Sequence, residues 1–186
     1  MRAVFRFLGR FAALIAVVAM LGAFFAMALV YTSLPEAREE LAIPSLSAPV
    51  TITLDQDGVP RIAAQSDRDA AVALGWLHAR DRMFQMEMMR RGAEGRLAEI
   101  AGGNVLRLDR MTRTLGLAQR ARDDLEHLSP ETRDLLDAYA EGVNALLAVR
   151  GRLAAPEFLV LGEPEPWKPE HSLLWGKVMG LSLIHI

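Results

Sequence analysis

The chain reads as an α+β protein: an N-terminal membrane helix, then a β-hairpin, then a mainly helical segment. Three observations carry this. An uncharged run from Phe11 to Tyr31 follows Arg2, Arg6 and Arg10; apolar and polar residues alternate through "PVTITLDQDGVPRIAA"; and from Asp67 onward apolar residues recur at three- and four-residue steps. The 186 residues, 52% hydrophobic with a formal net charge of −2, have the bulk of one ordinary domain and no basic surplus that would attract nucleic acid. With no cysteine, disulfides, a thiol nucleophile, thiolate metal sites and a lipid-modified N-terminal cysteine are excluded.

Residues 1–31 are predicted to be a signal-anchor or a signal peptide. The apolar run is nearer the ~20 residues that span a bilayer than the ~7–15 of a signal-peptide core, although Ala26-Met27-Ala28 has the small-x-small form of a cleavage site. The basic flank stays in the cytoplasm, so everything after Tyr31 is expected on the far side. That places the protein in the inner membrane facing the periplasm, or free in the periplasm if the segment is cleaved. Residues 32–49 hold three prolines, three serines and the charged cluster "EAREE", which reads as a linker.

The folded part is predicted over 50–180. Val50, Ile52 and Leu54 alternate, Asp57-Gly58 turns the chain, and Val59 and Ile62 resume the pattern, which is the signature of a β-hairpin. Asp67 to Asp69 are expected to cap a helix running on from Ala70 to Gly102. Leu77, Phe84 and Met88 form one apolar stripe, and Trp76, Met83, Met86, Ala93, Leu97 and Ile100 form another. Two stripes mean a helix buried from more than one side. Between them Asp81, Arg82, Glu87, Arg90, Arg91 and Glu94 make acid–base pairs at helical spacing, each weak if exposed, and Gly102-Gly103-Asn104 ends the segment.

Two further helices are expected, one around Arg113 to Leu125 and one opening at Ser129-Pro130-Glu131, where serine caps and proline takes the first turn. Leu135, Leu136, Tyr139, Val143, Leu146 and Leu147 give the second its period, which fades at Arg150-Gly151. "APEFLVLGEPEPWKPEHS" is a proline-punctuated loop ordered by Phe158, Leu161 and Trp167. A last apolar helix starts at about His171.

Chemistry is sparse. No two of His78, His127, His171 and His185 sit at i, i+4, and there is no H-E-x-x-H. His78 and Asp81, three apart, could share a metal in principle, but a lone pair of this kind is ordinarily a local hydrogen bond. Gly102-Gly103 lacks the glycine spacing and following lysine of a phosphate loop, and no G-x-S-x-G elbow occurs. Met83, Met86, Met88 and Met89 read as pliable core packing rather than a copper or cofactor box. These residues do not assemble a nucleophile, a base and an oxyanion hole, so no catalytic, cofactor-binding or metal residue is assigned.

Four stretches go further. "DQDGVPRIAA", "DRDAAVALGWLHARDRMFQMEMMRRGAEGRLAEIAG", "LLDAYAEGVNAL" and "PEFLVLGEPEPWKPEHSLLWGKVM" follow one another in the order and spacing of the α-chain of the penicillin acylase family, which the chain resembles from Pro49 to Met179. The A-R-D-R-M-F-Q-M-E-M-x-R-R block is the most specific part; Arg61 stands where the family often has histidine. The resemblance implies the α-chain portion of an αββα N-terminal-nucleophile hydrolase, incomplete here. It further implies a precursor that cuts itself so that a serine, absent from this chain, heads a β-chain and uses its own α-amine as base.

Also implied are the β-chain as partner, a calcium ion in the full-length protein, and an acyl-amide substrate such as a β-lactam side chain or an N-acyl homoserine lactone. Residues 181–186, "LSLIHI", resemble translated sequencing adapter and are expected to be a non-native tail. By itself the chain is expected to be inactive. It is also expected to fold poorly. Of the two stripes that carry Trp76, Leu77, Met83, Phe84, Met86, Met88, Leu97 and Ile100, the hairpin and the other helices can cover one, and the second would need the β-chain. The alternative is a non-enzymatic, membrane-anchored helical protein that binds a partner.

Overall fold

A computed structural model describes residues 2–33 and 40–183; most of "EAREE" and His185 lie outside the described residues. The chain forms two units, 1–38 and 39–186.

The first unit is one helix, α1, Arg2–Ser33. Within it Arg6–Tyr31, 26 residues long, is the one helix among the described residues apolar and long enough to cross a membrane. At ~1.5 Å per residue it exceeds the ~30 Å hydrocarbon core. From Phe7 to Val30 most of its large apolar side chains are exposed.

The second unit opens with coil that is docked rather than free: Leu41 and Ile43, within the stretch read as linker, pack on the core. Ser47 ties it down by donating from its backbone N–H and its hydroxyl to the Asp69 carboxylate, at 2.9 and 2.6 Å. Strands β1, Thr51–Leu54, and β2, Pro60–Ala63, then pair antiparallel with Ile52 opposite Ile62. The Asp55 carboxylate organises their turn by accepting from the N–H groups of Asp57 and Val59, and Gly58 takes the positive φ of +77°. Ile52 and Ile62 face the core, whereas Leu54 and Val59, counted in the alternation, are exposed.

Helix α2 spans Asp67–Glu94, and its N-cap is Ser66, whose hydroxyl accepts from Asp69 N–H. The predicted aspartate cap is thereby corrected: Asp69 is wholly buried and its carboxylate serves Ser47 instead. A second correction concerns length. The helix does not reach Gly102 but closes at Gly95, whose φ of +71° only glycine adopts freely, with Arg96 N–H returning to Arg91 C=O. Leu97 and Ile100 therefore do not extend the second stripe; they belong to a separate short turn, α3, Ala98–Ala101, whose first N–H groups donate to Asp109.

The predicted helix around 113–125 is likewise two, α4, Leu106–Leu115, and α5, Leu117–Leu125, divided at Gly116 (φ +66°). Helix α6, Pro130–Arg150, is capped by Ser129 as expected. Helices α7, Phe158–Leu161, and α8, Pro169–Leu183, complete the unit. Between them Phe158 and Trp167 are buried, but Leu161 is exposed and does not order the loop.

The core lies where α2 crosses α6. A Cβ on Gly75 would stand 2.1 Å from Tyr139 C=O, and one on Gly142 would stand 1.9 Å from Val72 C=O. The two backbones thus meet through a glycine from each helix. Around this crossing Trp76, Leu77 and Met83 of α2 bury against Val143, Leu146 and Leu147 of α6 and Phe158 of α7. A second cluster joins Ala93, Leu117, Ala121 and Leu174 from α2, α5 and α8. Leu77 from one stripe and Trp76 and Met83 from the other are thus all buried within the chain, although only one stripe was expected to be.

Candidate functional site

Beside the crossing, α2, α6 and α8 leave an apolar cleft of about 780 Å³. Leu74, His78, Met86 and Met89 line it from α2, Leu135 and Tyr139 from α6, and Trp175 from α8. The backbone contact at Gly75 brings Tyr139 alongside His78, so that His78 Nδ1 and the Tyr139 hydroxyl lie 2.9 Å apart with their rings edge-on. Burial pushes the Tyr139 phenol up to about 12, so at neutral pH it is a hydrogen-bond donor and not a base. Helix α2 departs from helical geometry at Arg82 (φ −140°, ψ 20°), a residue that also lines the cleft.

His78 and Asp81 are not brought together. His78 turns to Tyr139, while the Asp81 carboxylate accepts from its neighbour Arg80 at 2.8 Å. The methionine cluster divides: Met83 is core, whereas Met86 and Met89 line the cleft with side chains that adapt to irregular shapes. His127 caps the end of α5 on Asp123 C=O.

Past the kink, the acid–base pairs of α2 are not the weak surface pairs their spacing suggested. Glu87 and Arg90 are 1% and 2% exposed and paired with each other. Arg91 also reaches Glu87, at 2.6 Å, and pairs with Glu99. Arg90 donates to the C=O groups of Glu165 and Pro166, both at 3.2 Å, and its guanidinium lies 5.9 Å from the centre of the Trp167 ring. Arg96 bonds Glu165 at 2.6 Å and Glu99 at 2.9 Å. The Arg96 hydrogen bond holds the Glu165 carboxyl at about 2.

His171, buried at the start of α8, accepts from Lys168 N–H through Nδ1 at 2.9 Å, so its proton sits on Nε2, 3.4 Å from Glu94. This is the reciprocal half of a capping box, with the third helical residue reaching back to the cap. Burial opposes ionisation of Glu94, but the His171 hydrogen bond and the charges of Arg90 and Arg96 outweigh it and keep the carboxyl below its ordinary value.

The cluster fastens the loop before α8 to α2; it presents no nucleophile with an adjacent base. Tyr139, Trp175 and the His171–Glu94 pair escaped sequence reading because their partners lie 61 or more residues away, or on another helix. No local spacing signals such contacts.

The sequence pattern of the penicillin amidase family matches residues 49–185. The chain is similar to the penicillin acylase 2 proenzyme of Pseudomonas sp. strain SE83, 45% identical over 149 residues that cover 80% of this chain and 19% of the relative. It is similar to the acyl-homoserine lactone acylase QuiP of Pseudomonas syringae pv. syringae, 39% identical over 76% of this chain and 17% of the relative. To penicillin G acylase of Escherichia coli it is 32% identical over 75% and 16% of the two lengths. Among solved structures it resembles a thermostable penicillin G acylase from Alcaligenes faecalis with a TM-score of 0.61 and 27% identity, covering 68% of this chain and 69% of that one. It spans less than one fifth of the curated relatives' length.

Proposed function

The chain belongs to the penicillin amidase family of acylases, and from that premise we propose that it is the N-terminal part of the α-chain of an amidohydrolase precursor. One observation carries the reading: the two coverages. The chain aligns to under a fifth of the curated relatives, one of them named a proenzyme, yet its superposition takes in 69% of the solved chain. A long precursor divided into shorter chains accounts for both.

In this reading, cleavage exposes a serine at the head of a β-chain. The serine hydroxyl attacks an acyl amide while the serine's own α-amine takes the proton, directly or through water. The C–N bond breaks, the protonated amine leaves, and water then releases the acyl group as a carboxylic acid. The acyl amide is of the β-lactam side-chain or N-acyl homoserine lactone type, the two classes named among the relatives. The residues described here are scaffold. The α2–α6 crossing sets the shape, and the buried charge cluster pins α8 and its preceding loop. The apolar cleft is a surface that the β-chain completes.

Calcium belongs to the longer protein in this reading and not to these residues. Among the described residues no three carboxylates or histidines converge as a donor set, and Glu87, Glu94, Glu99 and Glu165 are engaged by arginine or histidine. Helix α1 acts as a signal-anchor or signal sequence, with the second unit exported.

Reading the source gene beyond codon 180 and expressing the whole frame is the test. The expected result is a several-hundred-codon extension, cleavage before a serine, and loss of both cleavage and amide turnover when that serine becomes alanine. The 186-residue chain is expected to turn over no acyl amide, and a periplasm-dependent reporter fused after Pro49 is expected to be active. A native stop near Ile186, turnover by this chain itself, or a reporter active only in the cytoplasm would each overturn the corresponding part.

A further inference from the structure

At the start of α8 one ring serves two partners. Pro169 opens the helix, so Lys168 is its N-cap and His171 its third residue. His171 Nδ1 accepts from Lys168 N–H at 2.9 Å, and Nε2 faces Glu94 of α2 at 3.4 Å. The ring is buried and edge-on to Trp167, with centres 5.2 Å apart. Glutamate or glutamine ordinarily takes this third position, because either keeps an acceptor at every near-neutral pH. Histidine does not: the neutral ring has one acceptor nitrogen, and the imidazolium has two donors and no acceptor.

The two partners therefore ask for different protonation states. Lys168 N–H requires the neutral ring, whereas the Glu94 carboxylate favours the charged one. Several charged groups surround the pair. Arg90 of α2 and Arg96 just past its end bear on Glu94. The preceding loop brings Lys168 and Glu165, the latter held by Arg96, and Glu170 is the ring's neighbour on α8. From α6 come the neutral Asn144, which holds Trp167, and the Tyr139 phenol in the same cleft. Helix α5 meets α8 further on, where Lys177 pairs with Asp124. Arginine and lysine keep their charge throughout the range in which histidine titrates, and Glu94 and Glu165 are held below the ordinary carboxylate value. Among the described residues of this cluster, His171 is thus the one whose charge changes near neutrality.

We propose that His171 is a pH-operated latch on α8: the neutral ring closes the first turn on Lys168 N–H, and protonation opens that turn while the ring stays with Glu94. The imidazolium stays there because a hydrogen bond between opposite charges is stronger than one to a neutral backbone N–H. The positive end of the α8 dipole drives it the same way. Trp167 remains tied through its backbone to Asn144, so what opens is the turn from Lys168 onward and not the loop before it.

The test follows the Lys168 amide and the His171 ring by nuclear magnetic resonance, in the full isotope-labelled chain in detergent micelles, from about pH 8 to about pH 5. The amide proton is expected to move upfield by several tenths of a part per million as its bond is lost, along the same curve as the His171 ring. Its exchange protection is expected to be several-fold lower in the acid form. His171→Gln keeps an acceptor at the third position that takes up no proton, so it is expected to hold the amide at its neutral-pH position throughout. His171→Ala is expected to leave it at the acid position at every pH. His78 and His127 remain in both variants, which separates their effects from this one.

An amide that moves in His171→Gln as it does in the parent overturns the proposal, since another group would then drive it. So does a His171 ring that titrates while the amide stands still. A ring that takes up no proton before about pH 5 overturns it as well.

Discussion

The two halves of α2 are held by opposite means. Before the kink at Arg82 the helix is fixed mainly by shape: Gly75 and Gly142 let two backbones touch, and Val72, Trp76 and Leu77 bury around them. Its charges lie at the first turn, where Arg68 pairs with Glu141 and Asp69 holds Ser47, and at Arg80 over the Trp76 ring. After the kink it is fixed by charge, with Glu87, Arg90, Arg91 and Glu94 bonded to one another and to a loop some 75 residues on. The contrast teaches that one continuous helix can depend on close packing at one end and on electrostatics at the other. Mutation and pH should separate the halves.

The largest effect is expected in the charged half. Glu87→Gln removes the carboxylate shared by Arg90 and Arg91 and leaves the buried Arg90 without its paired acid, facing only two carbonyl oxygens and the more distant Glu94. Breaking a buried pair in this way costs about 3–5 kcal/mol. Urea melts of the full chain should show this as a large drop in midpoint. Replacing Glu87 and Arg90 together by leucine should recover much of it, because the penalty is the orphaned charge. A single-mutant loss under 1 kcal/mol would mean that the cluster is wetter than its burial implies.

Next comes the shape-fixed half. Gly142→Ala places a methyl where Val72 C=O stands, and no side chain can swing aside, since the obstacle is backbone. Overpacking costs about 1–3 kcal/mol and here forces the helices apart. Tyr139 should then lose His78, so the melt and the His78 ring resonances should change together. Gly92→Ala in the other half, where a Cβ meets nothing, should be neutral or slightly stabilising.

Gly92 and Gly95 also show how much of the fold was legible. Both sit in "RRGAEGRLAE", and locally they look alike. Gly95 ends the helix where Asp109 C=O and the Arg113 side chain close on it, contacts that come from α4. The long apolar periods of α2 and α6 and the Ser129-Pro130 start were readable because they are set by neighbours three and four residues away. The burial of Arg90, and of the Glu87 paired with it, was not, because the residues that meet Arg90, Glu165 to Trp167, come from the far end of the chain. The cleft was half visible: Met86 and Met89 stood out in the sequence, but the opposing Trp175 and Tyr139 looked like ordinary helix residues.

A comparable but more local loss is expected from Asn144→Ala. Its amide accepts from Trp167 N–H at 2.7 Å and donates to Trp167 C=O at 2.9 Å, holding the ring over Arg90. Leaving those backbone groups unpaired costs about 1–3 kcal/mol. Hydrogen exchange should quicken at residues 165–172 while the α2–α6 crossing stays protected. Uniform quickening would mean that the two halves are not separable.

The smallest effect is the response to acid, and it should fall on one half. Glu165, held at about 2 by Arg96, along with Glu94 and Glu99, lies below the ordinary carboxylate value of 4.5. A depressed carboxyl stabilises the fold above its unfolded pKa and loses that contribution as pH falls through the folded one. The charged half should therefore loosen as pH drops from about 4.5 toward about 2, most visibly at the Trp167 indole N–H, which bonds Ser172. Glu165 and Glu99 are about half exposed, so the gain is modest and screened by salt.

Glu165→Gln should lower neutral stability by that same modest amount and flatten the acid response, so that variant and parent converge near pH 2. Asp69 is also depressed, by the Ser47 hydroxyl and N–H, so acid will free the 40–49 segment as well. Ser47→Ala removes the hydroxyl's share of that contribution, the larger one, and leaves the Trp167 transition in place. If the Trp167 transition instead vanished with Ser47→Ala and ignored Glu165→Gln, acid sensitivity would belong to the start of α2, and the division at Arg82 would be wrong.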